Sequence, residues 1–331
     1  MDYSQPGKSI FCDCSKDEND PLNQIADWYI VNLIILLAII IESGGILMET
    51  EQMAKVIDPE RLDFAKEHLV LEENVAYADQ HERQIMDLIY PEQHSGKMPV
   101  VIWIHGGGWS DEVLDKRYRP ELQLGELAKM GFFIASIEYR LCQHAPFPAQ
   151  IQDCKCAVRF LRANAEKYQI DPDHIGVWGE SAGGHLASLL GAAGDVAEFE
   201  GDGGYAGYSS RVQAVCPWYA PNDMLVESMK DQSKDSVFYR LFGGTVEEKK
   251  ELIWSASPMK YVKEKLPPYL LMHGTVDKLV PYSQSKNFYE ALIENGNEAQ
   301  LVTVEGQGHG FFDGDEYYDM IYAFFKEHLM A

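Results

Sequence analysis

Six short apolar runs dictate what this chain of 331 residues can become. They are Val100–Ile104, Phe132–Ile137, Ile175–Trp178, Val212–Val215, Tyr269–Met272 and Gln300–Val304. They are too continuously apolar for a sheet with one face in water. Flanked by glycine or proline, they suit strands covered by helices on both faces, which is the condition of a parallel sheet. Between them, Pro120–Met130, Ala149–Tyr168, Ala182–Ala193, Tyr282–Asn295 and Tyr317–Leu329 carry apolar residues at three- and four-residue spacing, the mark of amphipathic helices. Upstream, Val75–Ala78 and Arg83–Tyr90 read as an antiparallel opening hairpin. The alternation predicts one doubly wound α/β domain over residues 76–331, with a mostly parallel, twisted sheet of about eight strands and helices on both faces. Residues 195–211 read as a Gly- and acid-rich loop. Residues 219–262 read as a helical excursion after the sixth strand, where a lid would sit.

The N-terminal part is a separate problem. Residues 1–24 form an acidic tail, expected to be disordered. Residues 25–47 contain a hydrophobic segment in which Trp28–Ile41 is apolar except for Asn32. Those residues would span about 21 Å as a helix, short of a hydrocarbon core of about 30 Å, and extension past Glu42 brings in a carboxylate. The acidic flank and the lack of an Ala-x-Ala site argue against a secretion signal. Three readings stay open: a membrane anchor, a helix packed on the domain, or sequence upstream of a start at Met48 or Met53. The location is accordingly cytoplasmic or membrane-tethered through this segment. Residues 54–75 are expected to be a lead-in helix beginning after Pro59.

Charge narrows the partners. A formal net charge of −24 repels nucleic acid and anionic membrane surfaces. Scattered acidic residues make a solubilising surface. Six cysteines in this length do not form a disulfide framework, and a reducing compartment fits them. Cys154 and Cys156 lie two apart on a helix and cannot bridge. Cys142 and Cys216 read as buried thiols. Cys12 and Cys14 lack the histidine or second cysteine pair a metal site would need, so no metal is expected.

Four motifs carry chemistry. Gly179-Glu180-Ser181-Ala182-Gly183 follows a strand-like run and leads into a helix. Glycines two residues to either side of a serine permit a sharp strand-to-helix turn that exposes the hydroxyl. Ser181 is therefore the candidate nucleophile. Of ten histidines, His309 is the candidate base, because it sits between Gly308 and Gly310 just after a strand. Strand carboxyl ends are where ligands bind in such sheets. His105, His185 and His273 read as structural. Asp277, after Tyr269–Met272, is the candidate acid that orients the base. Asp223 is its competitor, and Asp313 is too close in sequence to His309. His105-Gly106-Gly107-Gly108-Trp109, directly after the first long run, leaves backbone N–H groups bare. Gly107 and Gly108, with Ala182, are candidate donors to a developing oxyanion. Trp109, Trp218 and Tyr219 are candidate walls of a substrate pocket, or plain core aromatics.

These motifs in this order resemble the α/β-hydrolase esterases, and within them the bifunctional feruloyl and acetyl-xylan esterase-like group, related to the hormone-sensitive-lipase-like esterases. Phe147–Ile151, Ile175–Ala187 and Pro267–Gly274 carry the same resemblance, which covers residues 76–331. Glu180 stands where the hormone-sensitive-lipase-like enzymes usually have Asp. The resemblance implies a cofactor-free serine carboxylesterase acting on small or aromatic acyl esters, carbohydrate-linked esters among them. An amidase, formamidase or peptidase using the same three side chains is the chemical alternative. A non-catalytic protein retaining the fold is the remote one. Oligomeric state is left open.

Overall fold

The computed structural model describes residues 62–117, 121–228, 230–310 and 314–330. Its frame is one sheet of eight strands: β1 Leu69–Ala76, β2 Ile85–Pro91, β3 Met98–Ile104, β4 Phe133–Ile137, β5 Ile170–Glu180, β6 Ala214–Trp218, β7 Tyr269–Gly274 and β8 Ala299–Val304. Their spatial order is β1-β2-β4-β3-β5-β6-β7-β8. The β1–β2 and β2–β4 pairs are antiparallel, and every other neighbouring pair is parallel. All six apolar runs meet strands, with Phe132 just ahead of β4 and Val212 and Gln213 just ahead of β6.

Strand β3 shows why. Val100, Ile102 and Ile104 enter one core cluster with Val177 and Leu186, while Val101 and Trp103 enter a second with Trp178 and Phe325. Side chains alternate between faces with period two, so a strand covered on both faces needs an apolar residue at every position. Across the second face Trp103, Trp178 and Trp218 stack edge to face, with centroids 4.9 and 5.2 Å apart.

The helices are α1 Glu121–Lys129, α2 Ala149–Ala163, α3 Ala165–Tyr168, α4 Ala182–Ala192, α5 Met224–Ser228, α6 Val237–Phe242, α7 Val246–Ser255, α8 Ser283–Glu294 and α9 Asp315–Leu329. The helix expected over Ala149–Tyr168 is broken at Asn164, whose side-chain amide donates back to the Phe160 carbonyl (2.8 Å). Helices α5 to α7 are the expected excursion after β6. Helix α7 starts in a capping box, with Thr245 and Glu248 satisfying each other's backbone N–H. The Gly- and acid-rich loop holds one short 3₁₀ turn, Ala197–Phe199. Cys142, Cys154, Cys156 and Cys216 are free and buried.

One expectation is corrected. The described part of the 54–75 lead-in is not helical: Leu69–Ala76 is strand β1, and the sheet therefore opens before residue 76. This segment pairs with β2 through a bulge between Glu72 and Val75. At the bulge Asn74 takes φ 56°, and its N–H donates to Asp87 Oδ1 (2.7 Å). The antiparallel partner, absent from any local pattern, decides the conformation. Residues 54–61, the tail 1–24, the segment 25–47, Cys12, Cys14 and Asp313 lie outside the described residues. No described helix is long and apolar enough to cross a membrane.

Candidate active site

Ser181 sits at the carboxyl end of β5 with φ 50° and ψ −116°, a conformation that costs a non-glycine residue energy and persists only when its surroundings enforce it. The enforcement is visible. Ser181 N–H donates to the Trp218 carbonyl (3.0 Å), and the Ser181 carbonyl accepts from His185 N–H (2.9 Å), which starts α4 at once. A Cβ at Gly183 would lie 2.1 Å from the Ile104 carbonyl oxygen, and one at Gly179 would lie 2.5 Å from that of Gly183. Only glycine fits at either place.

His309, beyond β8, meets Ser181 Oγ through Nε2 (2.9 Å) and Asp277 Oδ2 through Nδ1 (2.7 Å). Asp277, beyond β7, is buried, and its Oδ1 accepts from the N–H groups of Leu279 (2.8 Å) and Val280 (2.9 Å). Burial by itself would raise its pKa. The hydrogen bonds from His273 and His309, with the Val280 N–H, overcome that and hold the carboxyl well below the usual carboxylate range. A carboxylate can only accept, so Nδ1 of His309 carries a proton and the lone pair of Nε2 faces the serine hydroxyl. All three residues lie at carboxyl ends of strands, on the chain order serine, acid, histidine.

The glycine loop beyond β3 lies beside this turn because β3 and β5 are neighbours. Gly107, Gly108 and Trp109 take φ of 93°, 55° and 58°. The Gly107 carbonyl turns back to accept from Ser110 and Asp111 N–H (both 3.0 Å). Tyr139 pins the root of the loop by donating to the carbonyls of His105 (3.0 Å) and Gly106 (3.1 Å). The N–H groups of Gly107, Gly108 and Ala182 donate to no acceptor among the described residues. A Cβ at Gly108 would meet nothing within 4 Å, so that part of the loop faces open space.

Two other histidines, His105 and His185, hold the scaffold. His105 is buried, stacks on Tyr139 at 4.5 Å, and is pushed down to about 3 by burial and by the Arg83 charge. His185 is buried between two fixed partners: Trp109 Nε1–H donates to its Nδ1 (3.2 Å) and its Nε2–H donates to the Ala256 carbonyl (2.7 Å). Burial lowers it to about 4. Asp223, the competing acid, caps α5 by accepting from Leu225 (3.1 Å) and Val226 (3.2 Å) N–H.

Of the two readings open for the three aromatics, pocket wall or core, the packing favours the core. All are buried. Trp109 supports the glycine loop through His185. Trp218 packs in the second core cluster between Trp178 and Tyr318, 5.2 and 5.7 Å away. Tyr219 backs the base: its ring stands edge-on to His309 at 4.6 Å, and its hydroxyl donates to Glu180 Oε2. Tyr219 also has positive φ, 34°. Its support of His309 carries no sequence signal, whereas Glu180 was in view as the serine's neighbour. Among the described residues no group of three or more His, Cys, Asp or Glu side chains is arranged to hold a metal ion.

The BD-FAE family matches residues 86–292. Esterase LipC of Mycobacterium tuberculosis is 31% identical over 216 residues, which are 64% of this chain and 53% of that protein. A probable isoprenylcysteine alpha-carbonyl methylesterase, ICMEL1 of Arabidopsis thaliana, is 27% identical over 71% of this chain and 50% of its own. The chain thus spans about half the length of these curated relatives. Among solved structures, a truncated carbohydrate esterase from gut microbiota superimposes with TM-score 0.73 at 31% identity, covering 82% of this chain and 99% of that one. The bifunctional GH43-CE protein of Bacteroides eggerthii gives TM-score 0.73 at 33% identity, covering 79% and 38%. With more than half its length matched and esterases as relatives in both sequence and structure, the chain belongs to the BD-FAE family, and its α/β-hydrolase domain is that of a carboxylic ester hydrolase.

Proposed function

We propose that the whole protein is a serine carboxylesterase that hydrolyses small or aromatic acyl esters, carbohydrate-linked ones among them, with Ser181, His309 and Asp277 as its triad. The observation that carries this reading is a single imidazole bonded to the Ser181 hydroxyl through one ring nitrogen and to the Asp277 carboxylate through the other. His309 Nε2 takes the serine proton as Oγ attacks the ester carbonyl carbon. The imidazolium so formed is stabilised by Asp277 and donates that proton to the leaving alcohol. Water, deprotonated by the same Nε2, then attacks the acyl-enzyme. The carboxylic acid leaves and the proton returns to Ser181. In both tetrahedral intermediates the negative oxygen would be held by the N–H groups of Gly107, Gly108 and Ala182; removing one such donor typically costs roughly 100- to 1,000-fold in turnover. The carbohydrate-esterase neighbours support the choice of carbohydrate-linked esters.

The test pairs labelling with turnover. A fluorophosphonate should label Ser181, and p-nitrophenyl esters of rising chain length, methyl ferulate and acetylated xylan should rank the acyl group and the alcohol. Ser181→Ala should abolish labelling and lower kcat by about 10⁴-fold or more. Retained turnover in that variant would remove Ser181 from the mechanism. Faster cleavage of N-formylkynurenine or a prolyl anilide than of acetyl esters would make the enzyme an amidase.

A further inference from the structure

Asp277 is approached by two imidazoles. Its Oδ2 faces Nδ1 of His309 at 2.7 Å and Nε2 of His273 at 3.1 Å. His273 is the penultimate residue of β7 and is fully buried. The same Nε2 lies 2.9 Å from the Val280 carbonyl. Both neighbours of that nitrogen are acceptors, so it must bear the proton and share it between them. At the other side of the ring, Nδ1 lies 2.8 Å from Ser285 Oγ, in the first turn of α8, and the serine hydroxyl can donate to it. The ring edge is closed by Tyr282 at 5.8 Å. Asp277 meets His309 and His273 by hydrogen bond and Glu227 through charge, and Lys278 follows it in the chain. Glu227 is tied to Lys230 and to the Gln284 amide.

The geometry points to His273 as a positioning residue for the proposed hydrolysis, one that rests on the triad reading above: with Ser285 setting its tautomer, its Nε2–H fixes Asp277 Oδ2 in place and draws off part of its charge. Asp277 then has four donors, two on each oxygen. A carboxylate so occupied cannot swing away from His309 when the imidazolium forms and breaks. It is also a weaker proton acceptor, which leaves the mobile proton on the imidazole. The Val280 carbonyl ties the same N–H to the loop that carries Asp277, so acid and second histidine keep their relation as one unit.

Three variants test this: His273→Leu, which removes the donor; His273→Gln, whose amide N–H can still reach Asp277; and Ser285→Ala. Turnover of p-nitrophenyl acetate is measured per fluorophosphonate-titrated site, so unfolded protein does not count. His273→Leu should lower kcat roughly 10-fold with KM unchanged, the low end of what is lost when the outer hydrogen-bond partner of a metal-ligating residue is removed, taken as the scale for a carboxylate held from behind. It should also move the acid limb of the kcat/KM profile up by roughly half to one pH unit, because a less solvated carboxylate makes His309 hold its proton more tightly. His273→Gln should restore kcat to within about threefold of the parent, on the same reasoning, and Ser285→Ala should fall between the two. Equal kcat per site and an unmoved limb in His273→Leu would overturn the proposal. The downfield proton resonance of His309 Nδ1–H provides a readout that needs no turnover. It should shift in His273→Leu and hold in His273→Gln, and an unshifted signal in His273→Leu overturns the proposal even in a protein that hydrolyses no ester. A parent that is neither labelled nor active, yet shows this shift, would overturn the esterase reading and leave His273 in its role.

Discussion

Trp109 shows how much of the site rests on groups that never meet a substrate. Its indole N–H is directed at His185, and His185 in turn reaches the Ala256 carbonyl at the end of α7, so one buried chain links the glycine loop, the nucleophile helix and the excursion. Trp109→Phe keeps most of the shape and removes one donor. His185 Nδ1 then becomes a buried acceptor without a partner, and stability should fall by about 1–3 kcal/mol, read from urea unfolding. Turnover per labelled site should fall as well, because Trp109 follows Gly108 directly and holds a left-handed φ. Unchanged stability would mean that the indole N–H contributes nothing to the loop. Ser181, Asp277 and His309 were legible because each stands in a short glycine-marked stretch directly after an apolar run. Trp218 was not. Period two fixes that it shares a face with Ala214 and Cys216, but nothing local tells which face of a doubly covered sheet any strand residue will meet. His273 opens a glycine turn and so reads as structural; its partner Ser285 comes from the next helix, out of local view.

At the scale of elements, the same asymmetry separates the central strands from β1. Strands β3 to β7 advertise themselves because both faces are covered. β1 lies at the sheet edge, is half exposed, and carries charged residues that blur its alternation. The Gly- and acid-rich loop is a further case, since its composition suggests a solvated connection while the structure shows a clamp. Glu200 accepts from Lys155 Nζ (2.8 Å), Arg159 (2.5 Å) and Ser210 Oγ (2.6 Å), and both cationic side chains on α2 are buried. Arg159 also donates to the Gly204 carbonyl (3.0 Å) and Lys155 to that of Gly194 (3.1 Å). Two buried cations therefore share one carboxylate. Burial raises the pKa of Glu200, but the Lys155 and Ser210 hydrogen bonds, together with the Lys155 and Arg159 charges, more than offset this and hold it below its ordinary value. Glu200→Gln removes the carboxylate that both cations share. Breaking a fully buried pair costs about 3–5 kcal/mol; because the Glu200 side chain is itself 37% exposed, about 2–3 kcal/mol is expected here. The loop should also become open to limited proteolysis between Gly201 and Arg211. A variant as stable and as protease-resistant as the parent would show that backbone carbonyls alone hold the α2 cations.

For the whole molecule, the governing quantity is the proton count of the folded chain against that of the unfolded one. His105 and His185 have an ordinary pKa of 6.5 and are lowered to about 3 and about 4 by burial. The unfolded chain takes up a proton at each as pH drops through 6.5, while the folded chain does not until the lowered value is reached. Between those limits the unfolded state binds more protons, so the stability these residues contribute is fully present above 6.5 and is lost as pH falls toward 4. Other groups act in the opposite sense: burial raises Asp87, Glu138 and Glu227 above their ordinary values, so they keep protons in the folded chain and stabilise it as pH falls. Relief of the repulsion that comes with a formal charge of −24 works the same way. A single stability curve for the parent mixes these effects, but a double difference isolates one residue. His185→Gln keeps a donor to Ala256 and removes the titration. Its stability deficit relative to the parent, measured by urea unfolding, should shrink by about 2 kcal/mol between pH 7 and pH 5, since one pKa unit is worth about 1.4 kcal/mol. A deficit that stays constant across that interval would mean that His185 accepts a proton as readily in the fold as outside it. The chain from Trp109 through His185 to Ala256 would then not be the neutral, dry link that joins the glycine loop to the excursion.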